Sequence, residues 1–225
     1  MHLARTAALI TLLPLFSACS LLGLGSSSSE LPANAGLTRM QGELLGENGQ
    51  LLFQPCGGHR RYAISDIGKT GVLQEAATLA AKPGALFVDL RGSFDASKTG
   101  GMDGTLKLQQ LYRIERKNGA CSDPNFKLQT VHASGHNPEW ELKVSGNGMV
   151  LTRPNQEPLA LPYLEEQLPN GRLNLSSAAN DQHIDVWLAP QRCVDGASVQ
   201  FLSAEIRVDG QVQRGCAYFG GARND

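Results

Sequence analysis

Residues 71–82, GVLQEAATLAAK, form the one stretch of this sequence in which apolar side chains recur convincingly at helical spacing. Val72, Ala76 and Leu79, together with Leu73 and Ala80, are predicted to fall on one side of the helix. A Pro-Gly pair follows the segment directly, and such pairs end helices. Because runs with strand-like alternation lie before and after it, the sequence predicts a single helix inserted between strands.

Strand-like runs flank this helix in a definite order. LTRMQGELLG, QLLFQP and RRYAIS precede it, and ALFVDLRG and TLKLQQLYRIER follow it. In ALFVDLRG, leucine and valine alternate with Asp89 and Arg91, which predicts one apolar face and one polar face. With the helix between the third and fourth strands, residues 38–122 are predicted to form a five-stranded barrel of the OB type.

The second half of the chain, residues 126–225, contains only strand-like runs. In HIDVWL, for example, Trp187 falls on the polar side of the strand, opposite its apolar neighbours. Such runs predict an antiparallel β-barrel or sandwich of about seven or eight strands. The 25 glycines and 11 prolines of the chain also favour a turn-rich, mainly β fold.

The N-terminus predicts export and lipid attachment. Its apolar run is only about half as long as the ~20 residues that a membrane-spanning helix requires, so residues 1–18 are interpreted as a signal peptide. LFSAC, residues 15–19, resembles the bacterial lipobox, which implies acylation of Cys19 and cleavage before it. The alternative is an ordinary secretory signal with an incidental cysteine. Residues 19–37 are rich in Gly, Ser, Ala and Pro and are predicted to be a flexible linker.

Localisation and partner classes follow from the anchor and from the charge. Envelope lipoproteins with Asp directly after the lipidated cysteine are usually retained in the inner membrane, whereas this chain has Ser20. The resemblance therefore implies a lipid anchor in the outer membrane, on its periplasmic face. A net charge of −1 provides no basic field for nucleic acid, which is predicted not to be a partner.

The cysteines beyond Cys19 are even in number, and in an exported protein this predicts two disulfides. Three pairings are possible. If the two halves are separate domains, the local pairing is Cys56–Cys121 and Cys193–Cys216. The alternative is a metal site, but the chain has no C-x-x-C pair and its histidines are scattered.

Residues 40–121 resemble the OB-fold domain of NlpE-type envelope lipoproteins. The resemblance rests on MQGELLGENGQLLFQPCGG, the helix, GALFVDLRGSF and GGMDGTLKLQQLYRI, with Phe53 and Cys56 in the spacing Phe-x-x-Cys. It implies a role in surface sensing or envelope-stress signalling. The separate barrel of that family, which carries a C-x-x-C pair, has no counterpart here, so its link to copper is not transferred.

The second half resembles an uncharacterised family of envelope β-barrels that accompanies HslJ-like or META-type modules. That family has Gly-Asn-Glu-Pro-Phe-Trp, then Cys-x-Asp-Gly and a closing Gly-Cys. This chain has GHNPEW, which departs at three of six positions, whereas CVDG and GC match well. The resemblance implies a β-barrel of no established function. His136, Asn137 and Trp187 are the candidate binding residues.

No catalytic pattern emerges. The Gly-x-Ser-x-Gly nucleophile elbow is absent, and His132 and His136 lie four apart on a predicted irregular turn without a carboxylate to complete a metal site. Glu165 and Glu166 are interpreted as exposed charges on a loop. The chain is therefore predicted to be no enzyme and to need neither cofactor nor metal.

Three hypotheses for the function follow. The leading one is a non-catalytic outer-membrane lipoprotein that binds an envelope protein or a glycan. The first alternative is an envelope-stress or surface sensor of the NlpE type. The second alternative is a cell-wall-related enzyme or a lysozyme-type inhibitor.

Overall fold

A computed structural model describes residues 36–96, 102–179 and 181–223. The predicted signal peptide, the predicted lipid-attachment residue Cys19 and the predicted linker as far as residue 35 lie outside these residues. Within them the protein is mainly β with one α-helix, which confirms the predicted fold class.

The first barrel consists of five strands and the helix: β1 (Thr38–Glu47), β2 (Gln50–Pro55), β3 (Tyr62–Asp66), α1 (Val72–Ala80), β4 (Leu86–Ala96) and β5 (Gly104–Arg116). Strand β1 pairs antiparallel with β2 and β4, β2 pairs with β3, and β4 pairs with β5. Strand β3 runs parallel to β5 and closes the ring. This is the pairing of an OB barrel, with the helix at the predicted position.

Helix α1 begins where Asp66, the last residue of β3, turns the chain. The Asp66 carboxylate accepts hydrogen bonds from the backbone N–H groups of Thr70 and Gly71, at 2.9 and 3.0 Å. Gly71 adopts φ 79°, a conformation that favours glycine. Val72, Ala76 and Leu79 of the predicted apolar side are buried and pack into the core of the first barrel. Leu73 and Ala80, predicted on the same side, are exposed, because each follows a core-facing residue and points about 100° further around the helix.

The second half, called the second barrel below because its strands surround one core, consists of nine strands in the described part of the chain: β6 (Gln129–His136), β7 (Glu139–Ser145), β8 (Gly148–Thr152), β9 (Leu159–Leu161), β10 (Leu164–Leu168), β11 (Arg172–Ala179), β12 (Gln182–Asp195), β13 (Ser198–Val208) and β14 (Gln211–Phe219). They are antiparallel in the order β9-β8-β7-β6-β14-β13-β12-β11-β10. Among the described residues, its end strands β9 and β10 do not pair with each other. All but β10 contribute to one hydrophobic core, in which Trp140 is the largest buried side chain.

The strand count exceeds the prediction for two local reasons. PLALPYL, predicted as one strand, divides at Pro162 between β9 and β10, so Glu165 and Glu166 lie on a strand rather than on a loop. Residues 129–136, predicted as an irregular turn around the two histidines, form β6 and pair with β7 and β14.

One sheet continues from the first barrel into the second. The start of β13 pairs with the end of β5, with Val199 opposite Ile114. Val199 also belongs to the core of the first barrel. None of the helices within the described residues is long and apolar enough to cross a membrane.

Both disulfides have the predicted pairing. Cys56 is bonded to Cys121 with a Cα–Cα distance of 5.4 Å, and Cys193 to Cys216 with a Cα–Cα distance of 5.5 Å. The first bridge ties the end of β2 to the segment after β5. The second ties β12 to β14, beyond a bulge in β12 that lies between Pro190 and Cys193.

Candidate functional site

All three candidate binding residues lie in one depression of the second barrel, called the groove below. The groove has a volume of about 740 Å³. His136 at the end of β6, Asn137 in the turn after it and Trp187 on β12 all line it. Trp187 is half-buried and alternates along β12 with core residues, so the groove lies on the outer face of the barrel. The structure therefore brings the three residues together, and their binding role stays a prediction.

Two glycines allow β6 and β14 to approach closely beneath the groove. A Cβ on Gly135 would lie 2.4 Å from the carbonyl oxygen of Arg214, and a Cβ on Gly215 would lie 1.9 Å from that of Ser134. Real Cβ atoms do not approach backbone oxygens so closely, because repulsion between them rises steeply at such distances. Gly135 is the glycine that begins GHNPEW, and Gly215 is the glycine of the closing Gly-Cys. The close approach of the two strands therefore explains why glycine occupies both positions.

The charged side chains that line the groove are paired. His136 Nε2 lies 3.0 Å from Asp195 Oδ1, and the Arg214 Nε donates to Glu205 Oε2 at 3.1 Å. His136 and Arg214 are largely exposed. The groove therefore combines paired, solvent-exposed charges with an indole ring and other apolar groups in its wall.

A third ion pair links the groove to the first barrel. Arg192 on β12 donates through Nη2 to Glu75 Oε2 of helix α1 at 2.9 Å. The hydrogen bonds with Glu75 raise the pKa of Arg192 above its ordinary value. The Cys193–Cys216 disulfide lines the groove directly beside Arg192, so a covalent bond and an ion pair both restrain this part of β12.

His132, the other histidine of β6, belongs to a different arrangement. Its Nε2 donates to Glu141 Oε1 at 2.9 Å, and Lys143 Nζ donates to Glu141 Oε2 at 2.8 Å. The hydrogen bond from His132 lowers the pKa of Glu141 from 4.5 to about 2, although partial burial opposes the shift. His132 and His136 thus have separate carboxylate partners. The described residues contain no cluster of three or more His, Cys, Asp or Glu side chains that could hold a metal ion.

A larger cavity, called the cleft below, lies between the two barrels and has a volume of about 950 Å³. Strands β4 and β5 of the first barrel supply one wall, which includes Arg91 and Tyr112. The second barrel supplies the other, which includes Thr130, Arg172 and Tyr218. None of these five residues was predicted to belong to a site.

Arg91 is the unusual residue of the cleft. It is only 6% exposed, yet within the described part of the chain its side chain makes no hydrogen bond or ion pair, and its Nη1 atom is buried without an acceptor. The group found near its guanidinium is the ring of Tyr112, at 5.6 Å from the centroid. A buried guanidinium is normally paired with a carboxylate or hydrogen-bonded, because its desolvation is costly.

Asp89 lies two residues before Arg91 on the same face of β4, and it is fully paired. Its carboxylate accepts two hydrogen bonds from Arg39, from Nε at 3.0 Å and from Nη2 at 2.8 Å. The Arg39 guanidinium also donates to the carbonyl oxygens of Phe219, the last residue of β14, and of Gly220 directly after it. This pair therefore fastens the first barrel to the end of the second.

Aromatic and cationic groups fill the rest of the interface. Arg113 is 2% exposed and lies between the rings of Phe87 and Tyr218, at 4.8 and 4.0 Å from their centroids. Burial raises the pKa of Tyr218 to about 12, so this phenol stays protonated at neutral pH.

The second acidic group near the cleft is also occupied. Glu165 accepts hydrogen bonds from Arg223 on both carboxylate oxygens, at 2.8 and 3.1 Å. The charged residues that line the cleft are three arginines, Arg91, Arg172 and Arg223, and one acid, Glu165. The lining is therefore positively charged.

The chain matches no protein-family model, no curated protein and no solved structure. The two sites rest on their geometry alone.

Proposed function

We propose that the protein is a non-catalytic lipoprotein of the bacterial outer membrane, anchored through Cys19 on the periplasmic side, and that it binds an envelope protein or a glycan in the groove. The observation that carries this proposal is the meeting of His136, Asn137 and Trp187 on one surface. The two disulfides support an oxidising compartment outside the cytoplasm.

The chemistry of the groove suits recognition. A half-buried tryptophan offers a large rigid apolar surface, and such residues are frequent anchors of binding sites. Exposed His136 and Asn137 add hydrogen-bonding groups. Peptides and sugar rings both match this combination.

The groove is tested by photo-crosslinking in intact cells. A photoreactive amino acid at Asn137 should give a specific crosslinked product, to protein or to cell-wall glycan, and Trp187→Ala should abolish it. The matched control is Phe94→Ala, which removes an exposed aromatic side chain from the first barrel and should change nothing. Crosslinking that persists in Trp187→Ala, or that is absent from Asn137, would contradict the proposal.

Anchoring is tested separately. Cys19→Ala should abolish labelling by fatty acids and move the protein from the membrane to the soluble periplasmic fraction. Density fractionation should place the wild-type protein with outer-membrane markers. A Cys19→Ala protein that remains in the membrane would argue against the lipid anchor, and co-migration with inner-membrane markers would overturn the sorting.

A sensor of the NlpE type is the second candidate function. The observation that favours it is the OB pairing of the first barrel, with β3 parallel to β5. Overexpression should then induce an envelope-stress reporter, and deletion of residues 38–225 with the anchor retained should abolish the response. Equal induction by the anchor alone would exclude this candidate.

A further inference from the structure

We propose that the cleft between the barrels is a second binding site, for a ligand with a carboxylate group on an apolar body, and that Arg91 holds the carboxylate. This site is distinct from the groove, and the inference does not depend on what the groove binds.

The first argument is the state of Arg91. Arg91 is only 6% exposed, and its buried Nη1 atom has lost its hydration without gaining a hydrogen-bond acceptor among the described residues. An apolar side chain of similar size would fill the same space without this cost. An anion in the cleft would supply the missing acceptor, so the residue is explained by a bound ligand.

The second argument is that the carboxylates near the cleft are already engaged. Asp89 accepts from Arg39 on both oxygens, and Glu165 accepts from Arg223 on both oxygens. Neither is therefore available to neutralise Arg91 without breaking an existing bidentate pair. The counter-charge has to come from outside these pairs.

The third argument selects a carboxylate. A planar guanidinium matches a planar carboxylate with two parallel hydrogen bonds, and their single charges balance. A phosphate monoester carries about two negative charges at neutral pH and would need a second buried cation. Among the described residues that line the cleft, the other cation without an ion pair is Arg172, and its side chain is exposed to water. Thr130 adds a buried hydroxyl without a partner, which can donate one further hydrogen bond.

The fourth argument concerns the rest of the ligand. A volume of about 950 Å³ is far more than a carboxylate alone fills, and it lies at the upper end of the range of small-molecule sites. Apolar side chains line the remaining wall, among them Leu111, Phe201 and Phe219. The cleft therefore fits an acid with an apolar body, either the carboxyl terminus of a short peptide or a simple organic acid.

Calorimetric titration of the full-length protein tests the inference. N-acetyl-leucyl-alanine is the peptide probe, its C-terminal amide is the uncharged control, hexanoate is the simple organic acid, and inorganic phosphate is the competing anion. We expect the peptide acid or hexanoate to bind, and the peptide acid to bind at least about tenfold more tightly than its amide, since one charge-assisted bond supplies that difference. The acid that binds more tightly shows whether the carboxylate belongs to the end of a peptide or to a simple organic acid.

Variants locate the binding. Arg91→Met should lower the affinity for the acid at least about tenfold, to that of the uncharged control. Arg91→Lys keeps the charge without the planar fork and should give an intermediate affinity, which provides a result even where Arg91→Met fails to fold. Arg60→Gln removes an exposed cation of the first barrel and should leave the affinity unchanged.

Four results would overturn the inference. They are equal binding of the peptide acid and its amide, tighter binding of phosphate than of either acid, undiminished binding by folded Arg91→Met, and no binding of either acid up to about 10 mM, an affinity too weak to be specific. Crosslinking in the groove is unaffected by each of them, so failure here is distinguishable from failure of the proposed function.

Discussion

The groove and the cleft are both lined with charged side chains, but they differ in how those charges are satisfied. In the groove, His136, Arg192 and Arg214 each lie beside a carboxylate and remain at least half exposed to water. In the cleft, the Arg91 side chain is buried near the ring of Tyr112 and has no hydrogen-bond or ion-pair partner among the described residues. Paired surface charges need no functional explanation, whereas an unpaired buried charge weakens the fold and requires one.

The contrast is sharpest within β4 itself. Asp89 and Arg91 lie on one face of the same strand, and the second barrel covers both. Asp89 has a bidentate partner in Arg39, and Arg91 has none. Asp89 therefore holds the barrels together, whereas Arg91 contributes a charge that the interface does not use.

The largest expected losses of stability come from removing the two disulfides, and the two losses should differ. Cys56→Ser with Cys121→Ser should lower the free energy of unfolding by about 4 kcal/mol, and Cys193→Ser with Cys216→Ser by about 3 kcal/mol, because the first bridge closes the longer loop. Urea titration measures both losses. Hydrogen exchange in β12 and β14 should rise in the second variant more than in the first, since Cys193 and Cys216 line the groove. An equal rise in both would mean that the groove does not depend on its own bridge.

The next largest effect is expected from breaking the ion pair between Asp89 and Arg39. Asp89→Asn should lower the free energy of unfolding by about 3 kcal/mol, because it leaves the Arg39 guanidinium part-buried without its carboxylate. The matched control is Glu47→Gln, which breaks the exposed pair with Arg61 and should cost less than about 1 kcal/mol. Similar losses in the two variants would show that the interface does not depend on Asp89.

The fold could be predicted from the sequence to a large extent because its signals are local. The apolar side of α1, the strand alternation around it and the order of the elements lead to the OB barrel without long-range information. The cysteine pairing followed because each bridge closes within one half of the chain. Strands β6 and β10 were missed, since β6 contains two histidines and a glycine, and β10 has an exposed, acidic sequence that resembles a loop.

The groove and the cleft also differ in whether local sequence signals predict them. His136 and Asn137 lie in a short motif and Trp187 breaks the polar face of its strand, so the groove could be found from local sequence. Asp89 and Arg91 were placed correctly on the polar face of β4, but a polar face normally meets water. Here the second barrel covers it, which depends on the pairing of β13 with β5 and cannot be read from either segment alone.

A smaller effect, with a defined pH dependence, concerns the part-buried pair of His132 and Glu141. Glu141 has its pKa lowered from 4.5 to about 2, so its ionised form stabilises the fold above pH 4.5 and this contribution is lost as the pH falls towards 2. Since the Glu141 side chain is 38% exposed, Glu141→Gln should cost only about 1 kcal/mol at pH 7.

Urea titrations of the wild type and of Glu141→Gln at pH 7 and pH 2 check this expectation. The difference should become much smaller at the lower pH, where about half of the Glu141 carboxyl groups are protonated in the folded wild type and nearly all are protonated in the unfolded chain. Glu166→Gln, an exposed residue on β10, is the control and should show no difference at either pH. A difference that persists unchanged at pH 2 would rule out ionisation of Glu141 as its cause.

The most direct test of the account is the free energy of unfolding of Arg91→Met, measured by urea titration in a buffer without carboxylates. The Arg91 side chain is buried without a hydrogen-bond or ion-pair partner among the described residues. The free energy of unfolding of the variant should therefore exceed that of the wild type by about 1 kcal/mol or more. A loss of about 3 kcal/mol, like that expected for Asp89→Asn, would show that Arg91 is a structural partner in the interface and would contradict the distinction between the groove and the cleft.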